Sequence, residues 1–140
     1  MANQIEASIE IIFHATEDSE KIFEPIFDLF QIKKEEFSQE EIVGHYGNPI
    51  MLFRVTLTKK RAEGFVKTLV TKISRLQLDE VLDNIEMYFE NSSLFLRIGK
   101  KELVGKSISL QQNNAIKIRI KVPIYKKSDI TKTYTELLKA

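Results

Sequence analysis

Between Gln4 and His14 apolar residues recur at every second position, so that Ile5, Ala7, Ile9, Ile11 and Phe13 fall on one side. A period of two is that of a half-buried strand and predicts one here. The spacing then becomes helical through Ile22, Phe23, Ile26, Phe27 and Phe30. Thr16 is the expected cap of this helix, and Glu17, Asp18 and Glu20 are acids suited to the positive end of its dipole. Pro25 interrupts the pattern and predicts a bend or a late start. Glu36–Val43 and Ile50–Leu57 read as a second and a third strand joined through a longer hairpin loop. Thr58 is the expected cap of a helix carrying Ala62, Phe65, Val66, Leu69, Val70 and Ile73, and a further helix is expected from Leu78 to Phe89. Both helices have an apolar face to lay on a sheet.

Leu94–Ile98 reads as a fourth strand, Lys100–Val104 as one helical turn, Lys106–Leu110 as a short strand, and Gln111–Asn114 as a polar turn. The cleanest alternation comes last. Ile116, Ile118, Ile120, Val122 and Ile124 take turns with Lys117, Arg119 and Lys121, giving a strand with one aliphatic face and one row of cations. Ser128–Leu138 closes the chain as a helix with Ile130, Tyr134, Leu137 and Leu138 as its docking face. We read residues 1–125 as a single domain and residues 126–140 as a C-terminal helical extension.

With 140 residues, 43% hydrophobic and 29% charged, the chain has material for one ordinary core. No apolar run approaches the roughly 18 residues that span a bilayer, and the N-terminus lacks a basic-then-apolar leader, so no membrane partner and a cytoplasmic location are expected. The absence of cysteine removes disulfides, thiolate metal sites and a cysteine nucleophile. The formal charge of +1 conceals a segregation: residues 1–50 hold 11 acids and 3 bases, whereas residues 97–127 hold 9 bases and 1 acid. Arg97, Lys100, Lys101, Lys106, Lys117, Arg119 and Lys121 belong to that basic stretch and suit a polyanion. Along the last strand the cations repeat every ~6.6 to 7 Å, near the phosphate repeat of an extended nucleic-acid strand. Two blander readings stand beside this one: a solvated lysine row that protects a sheet edge, and neutralisation by the acidic first third on folding.

Gly44-His45-Tyr46-Gly47-Asn48-Pro49-Ile50 concentrates turn formers with functional side chains. Gly and Asn admit positive φ and Pro fixes its own, which a tight reversal requires. His45, Tyr46 and Asn48 add an imidazole, a phenol and an amide able to stack on a base or bond to it. His14 and His45 could together run ribonuclease-type acid–base cleavage, but chain order does not bring them to one substrate. No phosphate-binding glycine loop, nucleophile elbow or acidic metal motif is present, so no catalytic residue, metal or cofactor is expected.

His14-Ala15-Thr16-Glu17-Asp18 after the first strand, the Gly44–Ile50 motif, Leu94-Phe95-Leu96-Arg97 before a lysine-rich turn, and the final Ile-Lys-Ile-Arg-Ile-Lys-Val strand together resemble an archaeal RNA-binding family described as predicted exosome subunits. The resemblance covers residues 4–124. It implies an α+β fold, a single mixed or antiparallel sheet with helices packed on one face, similar to the large-subunit ribosomal protein that binds the small ribosomal RNA. It also implies RNA as partner, with exosome subunits as further partners, and noncatalytic binding. The expected RNA contacts are His45, Tyr46, Asn48, Arg97, Lys100, Lys101, Lys106, Lys117, Arg119 and Lys121. The alternatives are a protein-interaction module that forms a homodimer, and a His-dependent ribonuclease.

Overall fold

The alternation in Glu6–His14 buries Ile9, Ile11 and Phe13 on one side and leaves Glu6, Ile12 and His14 exposed on the other, so this strand (β1) divides inside from outside for the whole molecule. The computed structural model describes residues 4–43, 49–124 and 126–139. The other strands are β2 (Ser38–Val43), β3 (Pro49–Thr58), β4 (Phe89–Glu90), β5 (Ser93–Gly99) and β6 (Ala115–Lys121). They form one six-stranded sheet in the order β2-β3-β1-β6-β5-β4, and every neighbouring pair is antiparallel. The helices are α1 (Glu20–Phe30), α2 (Lys59–Lys72), α3 (Arg75–Asp83), α4 (Lys100–Val104) and α5 (Ile130–Lys139). They cover one face of the sheet, an α+β architecture with a single core that runs from Ile5 to Leu138.

Aromatic side chains fix α1 on the sheet. The Phe23 ring lies 5.0 Å from Phe53, 5.1 Å from Phe37 and 5.6 Å from Phe13, with edge-on or tilted geometry throughout. The helix starts late, at Glu20. Before it the chain closes a turn in which the Glu17 amide donates to the His14 carbonyl at 3.0 Å and the Glu17 carboxylate accepts the His14 amide at 3.1 Å. Asp18, not Thr16, then supplies a carboxylate to the first turn, accepting the Glu20 amide at 3.1 Å. Pro25 is buried within α1, and the helix continues past it to Phe30.

Two further elements differ from their sequence patterns. The expected helix over Leu78–Phe89 stops at Asp83, because the Asn84 side-chain amide turns back onto the Glu80 carbonyl at 3.0 Å. A 3-10 turn over Ile85–Tyr88 follows, and Phe89 enters the sheet opposite Leu94. The expected strand over Lys106–Leu110 is reduced to one bridge, Ile98 to Leu110, where the Gln77 carboxamide oxygen accepts the Leu110 amide at 2.9 Å.

The C-terminal helix plugs the end of the core. Tyr134 is completely buried beside Phe89, their rings 5.5 Å apart, and its hydroxyl donates to the Ser92 carbonyl at 2.7 Å while accepting the Val122 amide at 3.4 Å. Ser92 and Asn91 have φ of 68° and 49°, both left-handed, which makes the β4–β5 connection a two-residue hairpin turn whose twist suits the sheet. Burial pushes the Tyr134 phenol above its ordinary value, against the Val122 amide and the Arg119 charge, so it stays a neutral donor. Tyr134→Phe keeps the ring and strands the Ser92 carbonyl; thermal unfolding should show a loss of about 1 to 2 kcal/mol.

On the opposite flank, Arg61 of α2 grips Glu36 in the α1–β2 connection, one guanidinium nitrogen lying 3.0 Å from the carboxylate, which also accepts the Lys33 amide at 2.9 Å. The Arg61 bonds, with the Lys33 amide, lower the Glu36 carboxyl to about 2. A depressed carboxyl contributes stability above its unfolded value of 4.5, and that contribution fades as pH falls toward 2. Both partners are part-exposed, so solvent screening limits the contribution to about 1 kcal/mol. Stability measured from pH 6 to pH 2 should show Arg61→Met weaker than the parent at the upper end, with the gap closing toward pH 2.

Candidate nucleic-acid interface

Among the described residues no layer covers the sheet face opposite the helices, and the strand register states what it presents. One row across the strands reads Arg54, Glu10, Lys117, Arg97; the next reads Thr56, Ser8, Arg119, Phe95; the next reads Thr58, Glu6, Lys121, Ser93. Charge is divided across this face. On β6 and β5 it carries Lys117, Arg119, Lys121 and Arg97, whereas on β1, β3 and β2 it carries Glu6, Glu10 and Glu40 with Arg54. Arg54 is committed to Glu10, two of its nitrogens lying 3.0 and 3.2 Å from one carboxylate oxygen. Lys117, Arg119 and Lys121 take part in no ion pair among the described residues. The Arg119 Nε donates to the Ser93 hydroxyl at 3.0 Å, and the Lys117 ammonium lies 5.0 Å from the centroid of the Phe95 ring.

Antiparallel pairing also sets Glu10 opposite Lys117 and Glu6 opposite Lys121. The acidic first third therefore does meet the basic segment, but at β1 it flanks the cation row without clamping it. Elsewhere the neutralisation is direct. Lys106 bonds Asp28 of α1 at 3.0 Å, which raises the Lys106 ammonium above its ordinary value and joins it to the helical layer.

Lys100 requires a correction. It is buried rather than displayed: its ammonium donates to the Ile12 carbonyl, lies 3.1 Å from the Glu17 carboxylate, and sits 4.8 Å from the Phe13 ring centroid. Burial alone would push the Glu17 carboxyl up, but the His14 amide and Lys100 pull it below the usual carboxylate range. This residue locks the β1–α1 turn and has no donor left for an external phosphate in this arrangement. Lys101, its neighbour in α4, is exposed.

His45, Tyr46 and Asn48 lie outside the described residues. Their anchors are placed: Val43 pairs with Pro49, and Ile50 lies opposite His14 at the end of β1. That end of the open face is apolar, with Leu52 between Ile12 and Glu40 in register and Ile50 beside Ile42.

The profile of a family described as RNA binding matches residues 6–122, the span from the first strand to just past the last. The chain belongs to this RNA-binding family. An RNA-binding protein of Pyrococcus abyssi is 29% identical over 99% of this chain and 97% of its own length. Among solved structures, a protein of Archaeoglobus fulgidus described as DUF54 superposes with a TM-score of 0.82 at 28% identity, covering 94% of this chain and 97% of that one. A DUF54 protein of Methanothermobacter thermautotrophicus gives 0.74 at 26% identity, covering 95% and 96%.

For a member of an RNA-binding family, the residue that the cation pattern passes over is Phe95. It is the one Phe, Tyr or Trp that the described strands turn toward the open face, directly opposite Arg119. The signal was present in Leu94-Phe95-Leu96-Arg97, where a period of two puts Phe95 and Arg97 on the face away from Leu94 and Leu96.

Proposed function

We propose that this chain is a noncatalytic RNA-binding protein that holds RNA on the β6–β5 half of its open sheet face. The observation that carries this reading is the row Lys117, Arg119, Lys121, which takes part in no ion pair among the described residues, with Arg97 and Phe95 on the adjacent strand of the same face. Phosphates take the cations, and these contacts set affinity without reading sequence. The carboxylates of β1 and β2 repel the backbone from the other half, so the strand runs along β6 rather than across the sheet. His45, Tyr46 and Asn48, which lie between Val43 and Pro49 in the sequence, add base and ribose contacts.

Four phosphate contacts predict a definite salt response. For a single strand the slope of log affinity against log salt should be about −3. Fluorescence anisotropy with a labelled RNA from 50 to 300 mM salt measures it, and a slope near zero would remove the electrostatic surface from the account. Gel analysis of the same RNA after incubation should show it intact. A link to the RNA-degrading exosome follows from the sequence resemblance, and co-purification with exosome subunits after nuclease treatment tests it. The homodimer reading is disfavoured at the β2 edge, where antiparallel pairing of two β2 strands would set Glu40 and Glu41 of one copy against those of the other.

A further inference from the structure

The open face is not flat. Between its acidic and basic halves lies a depression of about 540 Å³, lined by Ser8, Thr56, Phe95, the carboxylates of Glu10 and Glu90, and the cations Arg54, Lys117 and Arg119. We propose that this depression takes one unpaired nucleobase with Phe95 as its stacking platform, so that the protein selects single-stranded over duplex RNA. This rests on the reading of the face as the RNA surface and adds the substrate class to it.

The lining is mixed in charge: Glu10 and Glu90 stand beside Lys117 and Arg119, Arg54 is paired with Glu10, and the hydroxyls of Ser8 and Thr56 lie 3.1 Å apart. Phe95 gives a base a stacking face, and the hydroxyls and carboxylates give its edge donors and acceptors, while Arg119 and Lys117 meet its backbone; a phosphate, which only accepts, leaves the ring and the carboxylates unused. The phosphates on either side of that base have Lys117 and Lys121 to bind, which flank Arg119 along β6. Lys117 already lies against the Phe95 ring, so the cation that anchors a phosphate and the ring that stacks a base are neighbours. A duplex cannot use this arrangement. Its bases are stacked on one another and its A-form major groove is too deep and narrow for side chains, so a sheet reads RNA through bases splayed out of a single strand.

The test compares one labelled 12-nucleotide RNA, free and annealed to its complement, on the full chain at a single salt concentration. The parent should bind the single strand at least about tenfold more tightly. Phe95→Ala and Phe95→Leu should each lose about tenfold on the single strand, keep the duplex affinity and keep the salt slope, while Phe95→Tyr keeps both affinities. A 2-aminopurine base walked along the strand should be quenched at one position, and that quenching should vanish in Phe95→Ala. Equal parental affinity for single strand and duplex overturns the proposal, as does an unchanged Phe95→Ala affinity. A Phe95→Ala loss that lowers the salt slope also overturns it, since the missing contact is then the Lys117 phosphate. Failure of the parent to bind either RNA is a different result, and it rejects the RNA surface itself.

Discussion

Lys117→Gln/Arg119→Gln/Lys121→Gln should leave a folded protein that binds RNA at least about 100-fold more weakly at 100 mM salt, with a salt slope shallower by about 2. All three side chains lie on the open face, and none is held by an ion pair among the described residues, so removing their charge costs the fold little. Glutamate replacements would give a larger binding defect but a less clear experiment. Glu10 and Glu6 lie directly opposite positions 117 and 121, so charge reversal would build like-charge cross-strand pairs into the middle of the sheet. Anisotropy titrations with circular dichroism melts on the same samples separate the two effects. An unchanged RNA affinity in the folded Gln variant would move the binding surface off β6 altogether.

The strands that carry this surface were legible because a period of two does not depend on context. In β1 and β6 the alternating pattern marks both the element and the face, and in antiparallel neighbours that face is inherited across the register. Phe95 could have been assigned by the same rule. What the pattern cannot show is which acid meets which base. Lys100 and Lys117 are equivalent as letters in a basic segment, but α4 turns Lys100 into the β1–α1 junction while β6 holds Lys117 out. The helix read from Leu78 to Phe89 failed for a similar reason: the apolar spacing continues past Asn84, and a side chain competing for the helix's own carbonyls ends it. Thr16 lost its expected capping role because the helix starts only at Glu20, where Asp18 accepts the first amide.

The same junction gives the largest expected effect on stability. Lys100→Met keeps the apolar stem and deletes the ammonium, and should destabilise the protein by about 3 kcal/mol, read as a fall in the denaturant midpoint. The Lys100 side chain is only 7% exposed, so its charge has left water for the Glu17 carboxylate, the Ile12 carbonyl and the Phe13 ring. Without it Glu17 keeps the His14 amide but loses its countercharge in a position that is 29% exposed, which places the cost near the low end for a broken buried pair. The acid side supplies an independent check. Glu17 is held below its unfolded value of 4.5, so its contribution is present above that pH and is lost as pH falls through the depressed folded value. The gap between the parent and Lys100→Met should therefore be widest near neutrality and narrow below pH 4.5, whereas a defect from packing alone would persist unchanged in acid. RNA affinity of the folded fraction should stay within about twofold of the parent, because a cation enclosed at the β1–α1 turn contributes no phosphate contact to the salt slope.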